Sequence, residues 1–245
     1  MIFDILDEEI TPQLAMSDRL ILVLYDLGIA TLEQIQEVSG WTKNQVKGAI
    51  QRVRKWEGEP SEWIRSWKPH GDRPKVYSLG EKGIEHARAL RGEYAEARKR
   101  PLQGHTYHFV GLNGILVRMI KEFGRENIRW LSGKESASLI YHRLREGGQN
   151  SPLRPDAMLG IDGEWWLIEY DTGTETSIRL EEKFRRYLQL AEMAKGIKMM
   201  FVTVSERRRQ LAELTFEHLS SQIPVPKDFD IAFLVEGEEP EFFKR

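Results

Sequence analysis

Asp156, Glu169 and Asp171 interrupt segments that otherwise read as buried strand, and their spacing is the feature of this chain that could do chemistry. The key to their arrangement is Asp162-Gly163, which stands between two apolar runs. Such a pair is a strong signal for a two-residue hairpin turn, because both turn positions need the positive φ that Asp, Asn and Gly tolerate. A loop of that length fixes the register. Ile161 then faces Glu164, Leu159 faces Trp166 and Ala157 faces Ile168. One step further, Asp156 falls opposite Glu169, and directly opposed residues have Cβ atoms about 4.5–5.5 Å apart. Asp171 shares the face of Glu169 because side chains alternate along a strand. Arg154 falls opposite Asp171.

Two ionised carboxylates about 5 Å apart, at an effective dielectric of about 20, repel by about 3 kcal/mol. That is worth roughly two pKa units. Such a pair needs a shared proton, a cationic side chain or a metal, and carboxylate oxygens suit magnesium or manganese. Asp156, Glu169 and Asp171 are therefore candidate metal ligands. The competing reading is an ion-pair network, with Arg154 and Lys183 neutralising the acids.

The elements that must hold these acids follow from the pattern around them. Both faces of the hairpin are otherwise apolar, with Met158, Trp165 and Leu167 on one side and Leu159, Trp166, Ile168 and Tyr170 on the other. A hairpin of that kind belongs inside a layered α/β domain. Before it, helical spacing at Phe109, Leu112, Leu116, Met119, Ile120 and Phe123 predicts a helix, and "IRWLSGKE" predicts a strand. The stretch "SLIYHRLREGGQNSPL" is poorly patterned, and "GGQNSP" reads as loop. After the acids, Thr176 or Ser177 can cap a helix that buries Leu180, Phe184, Tyr187, Leu188 and Ala191. A strand, a helix and a last strand at "DFDIAFLVEG" complete the order.

The N-terminal region has a different character. A helix over about 12–27 ends at Gly28, a short helix is capped by Thr31 and ends at Gly40, and a third helix starts at Thr42 with Val46, Ala49, Ile50 and Val53 as its inner face. That is the helix-turn-helix order. The third helix carries Lys43, Lys47, Arg52, Arg54 and Lys55 and no acid, while Asn44, Gln45 and Gln51 add side chains able to read base edges. "SEWIRSWKPHGDRPKVYSLGEKG" reads as two strands around a turn, a wing whose Arg65, Lys68, Arg73 and Lys75 suit phosphate contact. The chain as a whole carries a net charge of −2, so nucleic-acid binding has to use such a local patch.

Residues 12–95 resemble the winged helix-turn-helix of bacterial regulators, with "VYSLGEKG" as the most specific piece. The resemblance implies duplex DNA binding, with Lys43, Asn44, Gln45 and Lys47 as groove contacts, since recognition helices read with their N-terminal residues. Gln51, Arg52, Arg54, Arg73 and Lys75 complete the expected DNA-binding set. The alternative is a basic, solvated helix in a winged fold used for protein contacts. The second part, with "RPDAML" followed by "LIEYD", resembles the PD-(D/E)xK nuclease superfamily. That likeness implies Asp156 and Glu169 as ligands of magnesium or manganese. The lysine that usually follows the second acid is replaced here by Asp171, so Lys183 on the next helix stands in as the displaced catalytic lysine, and Glu175 as an outer ligand. More specifically, "RPDAML…GEWWLIEYDTGTE…EEKFRRY", with "HTYHFVGLNGIL" before it, looks like the replication-relaxation family of plasmids and mobile elements.

The expected architecture is therefore α+β or α/β in two domains. These are a winged helix-turn-helix at 1–95, a linker at 96–104 and a restriction-endonuclease-like αβββαβ domain at 105–245. The expected function is that of a DNA-binding accessory protein in replication or transfer, with a nuclease-like domain. Two alternatives stand beside it, a magnesium-dependent endonuclease and a transcriptional regulator with a partner-sensing second domain. Expected partners are double-stranded DNA, replication or transfer proteins, or a second copy of the chain.

Other features exclude or dilute competing readings. The chain has no cysteine, which rules out disulfides and thiolate zinc sites and is compatible with a cytoplasmic setting. No apolar run reaches spanning length, and the acidic start "MIFDILDEEI" argues against a signal peptide. His105 and His108 have the spacing of a metal pair but sit where capping and packing are commoner. His142 is expected to be exposed. Trp41, Trp56, Trp63 and Trp67 are expected to pack the small domain rather than stack on bases. "ERRR" at 206–209 reads as a solvated helix start that could instead touch a DNA backbone. No phosphate-loop pattern is present.

Overall fold

The computed structural model describes residues 14–92, 101–146 and 153–244, which fall into two compact units divided between Lys121 and Glu122. The fold is mixed α+β, with one three-stranded antiparallel sheet and one five-stranded mixed sheet. Most of the expected linker at 96–104 and the "GGQNSP" loop lie outside the described residues. Among the described residues, no helix is long and apolar enough to cross a membrane.

In the first unit, α1 (Met16–Leu27) stops at Gly28 and β1 (Ile29–Thr31) follows without a loop. Thr31 then caps α2 (Leu32–Ser39). Its hydroxyl accepts from the Gln34 amide at 3.2 Å, and the Gln34 side chain accepts from the Thr31 amide at 3.0 Å. This reciprocal cap satisfies two amides that a helix start otherwise leaves unpaired. Thr42 and Gln45 repeat it at the start of α3 (Lys43–Val53), whose buried stripe is the expected Val46, Ala49, Ile50 and Val53. α4 (Pro60–Trp63) is a single turn that replaces the first half of the expected strand, so β2 (Ile64–Trp67) starts late. β3 (Val76–Leu79) pairs with both β2 and β1, in the order β1-β3-β2. β1 is not legible in the sequence, since three buried residues are too few to show alternation.

The junction from β3 into α5 (Glu81–Leu90) explains the glycines of "VYSLGEKG". A Cβ on Gly80 would lie 2.3 Å from the carbonyl oxygens of Ser61 and Glu62, and one on Gly83 would lie 2.4 Å from that of Trp63. The backbone of α4 thus presses directly on the start of α5, and only glycine leaves room. Trp56 and Trp63 pack edge to face at 4.8 Å and both lean on His86, so these two rings are used internally.

α6 (Thr106–Phe123) is expected from the sequence to open the second domain, but through Lys121 it belongs to the first unit. The reason is polar as well as apolar. The buried Asn113 amide donates to the carbonyls of Leu27 and Ile29 at 3.0 and 2.9 Å, and Gln34 donates to the Val110 carbonyl at 2.7 Å. A helical apolar stripe says that a face is buried, not which partner buries it.

The second unit runs β4 (Ile128–Ser132), α7 (Gly133–Glu146), β5 (Ala157–Ile161), β6 (Glu164–Asp171), α8 (Ser177–Met193), β7 (Lys198–Thr203), α9 (Glu206–Ser220), β8 (Asp230–Val235) and α10 (Glu239–Phe243). Its sheet has the order β4-β5-β6-β7-β8, antiparallel across β4, β5 and β6 and parallel from β6 to β8. α7 occupies the poorly patterned stretch, where the sequence does not signal it. Its Leu139 and Ile140 pack on the core, two apolar neighbours with too little periodic context to mark a helix.

One face of the sheet, formed by Leu131, Met158, Leu167, Met199 and Phe201, carries α7, α8 and α9. Phe184 and Tyr187 of α8 are fully buried there. Fully burying such a side chain contributes about 1.5–3 kcal/mol, so this layer fixes where α8 can lie. On the opposite face, Trp166 meets Phe242 and Phe243 of α10 edge to face at 5.1 and 5.6 Å.

Candidate functional site

The Asp162-Gly163 reversal forms as expected, with both residues at positive φ, 50° and 79°. The register is the expected one, from Ile161↔Glu164 through Leu159↔Trp166 to Ala157↔Ile168. There the ladder ends, one residue short of Asp156. The Asp156 amide donates to the Ile168 carbonyl at 3.0 Å, and its carboxylate accepts from the Tyr170 amide at 2.9 Å. Asp156 thus closes the end of the strand pair with its own side chain. It remains near enough to Glu169 for its charge to act on it.

Leu167, Glu169 and Asp171 alternate onto the face covered by α8 and α9, and the two acids are only 4% and 2% exposed. Each is met by a cation from a different helix. Lys183 of α8 donates to Glu169 Oε2 at 2.7 Å and reaches Glu175 Oε1 at 3.1 Å. One helical turn further, the Tyr187 hydroxyl donates to Glu169 Oε1 at 2.5 Å. Arg208 of α9 donates through Nε to Asp171 Oδ2, in a short contact, and through Nη2 to the Glu175 carbonyl at 2.6 Å. The Gly173 amide donates to Asp171 Oδ1 at 3.0 Å.

The structure therefore brings Asp156, Glu169 and Lys183 together, and Glu175 links them to Asp171, its carboxylate meeting Lys183 and its carbonyl meeting Arg208. Arg154, expected opposite Asp171, is exposed, and Arg208 holds that acid. Arg208 and Tyr187 are the residues that sequence reasoning misses in this role. The apolar body of Tyr187 assigns it to the core, and Arg208 lies in a run of three arginines that gives no reason to single it out.

Electrostatics follow the geometry. Burial pushes the Glu169 carboxyl up to about 7, and the neighbouring Asp156 charge adds to this, while Lys183 and Tyr187 pull the other way. Burial acts to lower the Lys183 ammonium, but Glu169, Asp156 and Glu175 outweigh it and hold the group above its ordinary value. Burial also raises the Tyr187 phenol, helped by the same two acids, Glu169 and Asp156. Tyr187 is thus a donor across the whole neutral range.

At least five of the six carboxylate oxygens of the cluster accept a hydrogen bond from the protein. Both of Glu169 and both of Asp171 have protein donors, as does Oδ2 of Asp156. Among the described residues, no group of three or more His, Asp or Glu side chains converges to hold a metal. As arranged, the three carboxylates are held by two cations, a phenol and backbone amides.

In the first unit, α3 presents Lys43, Asn44, Gln45, Lys47, Gln51 and Arg52 to solvent. Two members of the expected DNA-binding set also bond within the unit. Gln45 spends its side-chain oxygen on the backbone amide and hydroxyl of Thr42. Arg54 is half-buried and donates to the Ser66 hydroxyl of β2 at 2.8 Å, which makes it a tether between α3 and the sheet. On the hairpin, Arg73 is exposed and stacks its guanidinium 4.0 Å from the centre of the Tyr107 ring, while exposed Lys75 lies 5.9 Å from that of Tyr77. At the start of α9, Arg209 pairs with Glu206 and Arg208 with Asp171, while Arg207 is exposed.

No curated protein and no solved structure matches the chain significantly. A family model does match, over residues 22–204, which takes in the second half of α1 and runs to the end of β7, and therefore covers both the α3 surface and the acid cluster. With most of its length covered, the chain belongs to the replication-relaxation family.

Proposed function

We propose that the protein is a DNA-binding accessory factor in the replication or transfer of a plasmid or mobile element. On this reading α3 enters the major groove of duplex DNA as the recognition helix of a winged helix-turn-helix, and the β2–β3 hairpin is the wing. The observation that carries it is the outward face of α3, where Lys43, Asn44, Lys47, Gln51 and Arg52 are exposed and no acid interrupts them. Arg73 and Lys75 supply phosphate contacts beside it. The second unit is a nuclease-like scaffold whose acid cluster is neutralised from within. An electrophoretic mobility shift on duplex DNA tests the reading, with Lys43→Glu and Lys47→Glu as the variants. Binding by the wild type that both variants lose supports it, and unchanged affinity removes α3 from the DNA face.

A second reading, a metal-dependent endonuclease, is favoured by the gathering of Asp156, Glu169 and Lys183. Metal entry would require Lys183 and Tyr187 to release Glu169. Supercoiled plasmid incubated with magnesium or manganese tests it, with Asp156→Ala and Glu169→Ala as controls. Nicking by the wild type that both variants abolish would establish this reading in place of the scaffold.

A further inference from the structure

Gly48 sits in the middle of α3, where glycine is a poor helix former and the fold gives no reason for it. Its backbone is ordinary right-handed helix, and a Cβ built there would meet only the flexible tip of Arg52, at 3.7 Å, an unstrained distance. Gly83 in α5 is the contrast, since a Cβ there would collide with the Trp63 carbonyl at 2.4 Å. The helical positions explain where Gly48 points. With Val46, Ala49, Ile50 and Val53 buried, position 48 lies on the opposite side, one turn from Asn44 and Arg52 and beside Lys47 and Gln51. The helix therefore carries a half-buried patch of backbone without a side chain, covered only by the flexible tip of Arg52, amid four exposed hydrogen-bond donors.

We infer that Gly48 is the point of closest approach between α3 and duplex DNA, and that the missing side chain lets the ring of Asn44, Lys47, Gln51 and Arg52 reach base edges and phosphates together. The inference rests on the duplex-binding reading of α3 and adds to it a depth of insertion. A methyl group at position 48 would hold the helix axis away from the groove, and the four side chains of the ring could no longer all touch the duplex at once.

The test uses the full chain and duplexes that the wild type enriches from a randomised library. Fluorescence anisotropy gives the affinity of the wild type, Gly48→Ala and Lys47→Glu, and thermal unfolding gives their Tm. Gly48→Ala is expected to raise the Tm of the first unit by a few degrees, because alanine favours the helix. It is expected to bind about ten-fold or more weakly, equivalent to forfeiting roughly one good base pairing by a side chain. If Lys47→Glu loses binding while Gly48→Ala binds as the wild type does, the inference falls and the recognition-helix reading stands. If Lys47→Glu also binds as the wild type does, or nothing is enriched, α3 is not the DNA face and both fall. A lower Tm for Gly48→Ala would show that the fold itself demands the glycine, and would overturn the inference.

Discussion

Lys183 and Tyr187 stand one helical turn apart on α8 and take the two oxygens of a single carboxylate, Glu169, at 2.7 and 2.5 Å. A strand acid is thereby clamped by one face of one helix. The same face carries Leu180, Phe184 and Leu188 into the core, so polar clamp and apolar packing fix the same helix orientation.

Removing one jaw of the clamp leaves a buried charge with too few partners. Lys183→Ala is expected to destabilise the second unit by about 3–5 kcal/mol at pH 8, the usual cost of breaking a buried pair from one side. Urea unfolding followed by tryptophan fluorescence measures this. Replacing Glu169 and Lys183 together by Leu and Met is expected to cost much less, since no orphan charge remains.

The Glu169 carboxyl gives the fold a pH dependence of known sign. Its value rises from the ordinary 4.5 in the unfolded chain to about 7 in the folded one, so between those values the folded state holds the proton more tightly. Stability from this group is therefore full below about pH 4.5 and declines as pH rises through 7, by about 3 kcal/mol in total. The difference in unfolding free energy between wild type and Glu169→Gln, followed from pH 4.5 to 8, is expected to show this slope. A difference that does not vary with pH would contradict it.

Arg208 is expected to matter as much as Lys183, although it lies on another helix. Arg208→Ala removes the cation from Asp171 and a donor from the Glu175 carbonyl, and is expected to cost about 3–5 kcal/mol. Arg154→Ala, at an exposed position, is expected to stay within about 0.5 kcal/mol of wild type. Chemical denaturation of the two variants side by side distinguishes the partner the hairpin register suggests from the one the fold supplies.

Salt dependence separates the roles of the basic residues on the first unit. Each phosphate that a variant no longer neutralises is expected to reduce the slope of log K against log salt by about 0.9. Lys47→Ala is expected to show such a drop. Arg54→Ala is expected to leave the slope unchanged and to lower the Tm instead, because its guanidinium is committed to Ser66.

These contrasts mark what the sequence could reveal. Local rules were legible: the Asp162-Gly163 turn, the register from Ile161 to Ala157, the caps at Thr31 and Thr42, and the buried stripe of α3 all depend on neighbours in the chain. Asp156 departs from the extrapolated register because a carboxylate at the end of a ladder can bond the next free amide, that of Tyr170, instead of continuing the pairing. The identities of long-range partners were hidden. Nothing near Asp171 in sequence points to Arg208, which is 37 positions away. Nothing in the apolar stripe of α6 announces that Asn113 will bond the carbonyls of Leu27 and Ile29.

On the proposed recognition-helix reading, the cap at the start of α3 limits what that helix can spell. Because the Gln45 amide oxygen is turned inward to Thr42, the group it keeps for an outside partner is its NH2, which can only donate. In the major groove adenine, guanine and thymine offer an acceptor, whereas cytosine offers only its own amino group. For a duplex laid along α3, the base beneath Gln45 would be drawn from three letters of the alphabet, with cytosine left out.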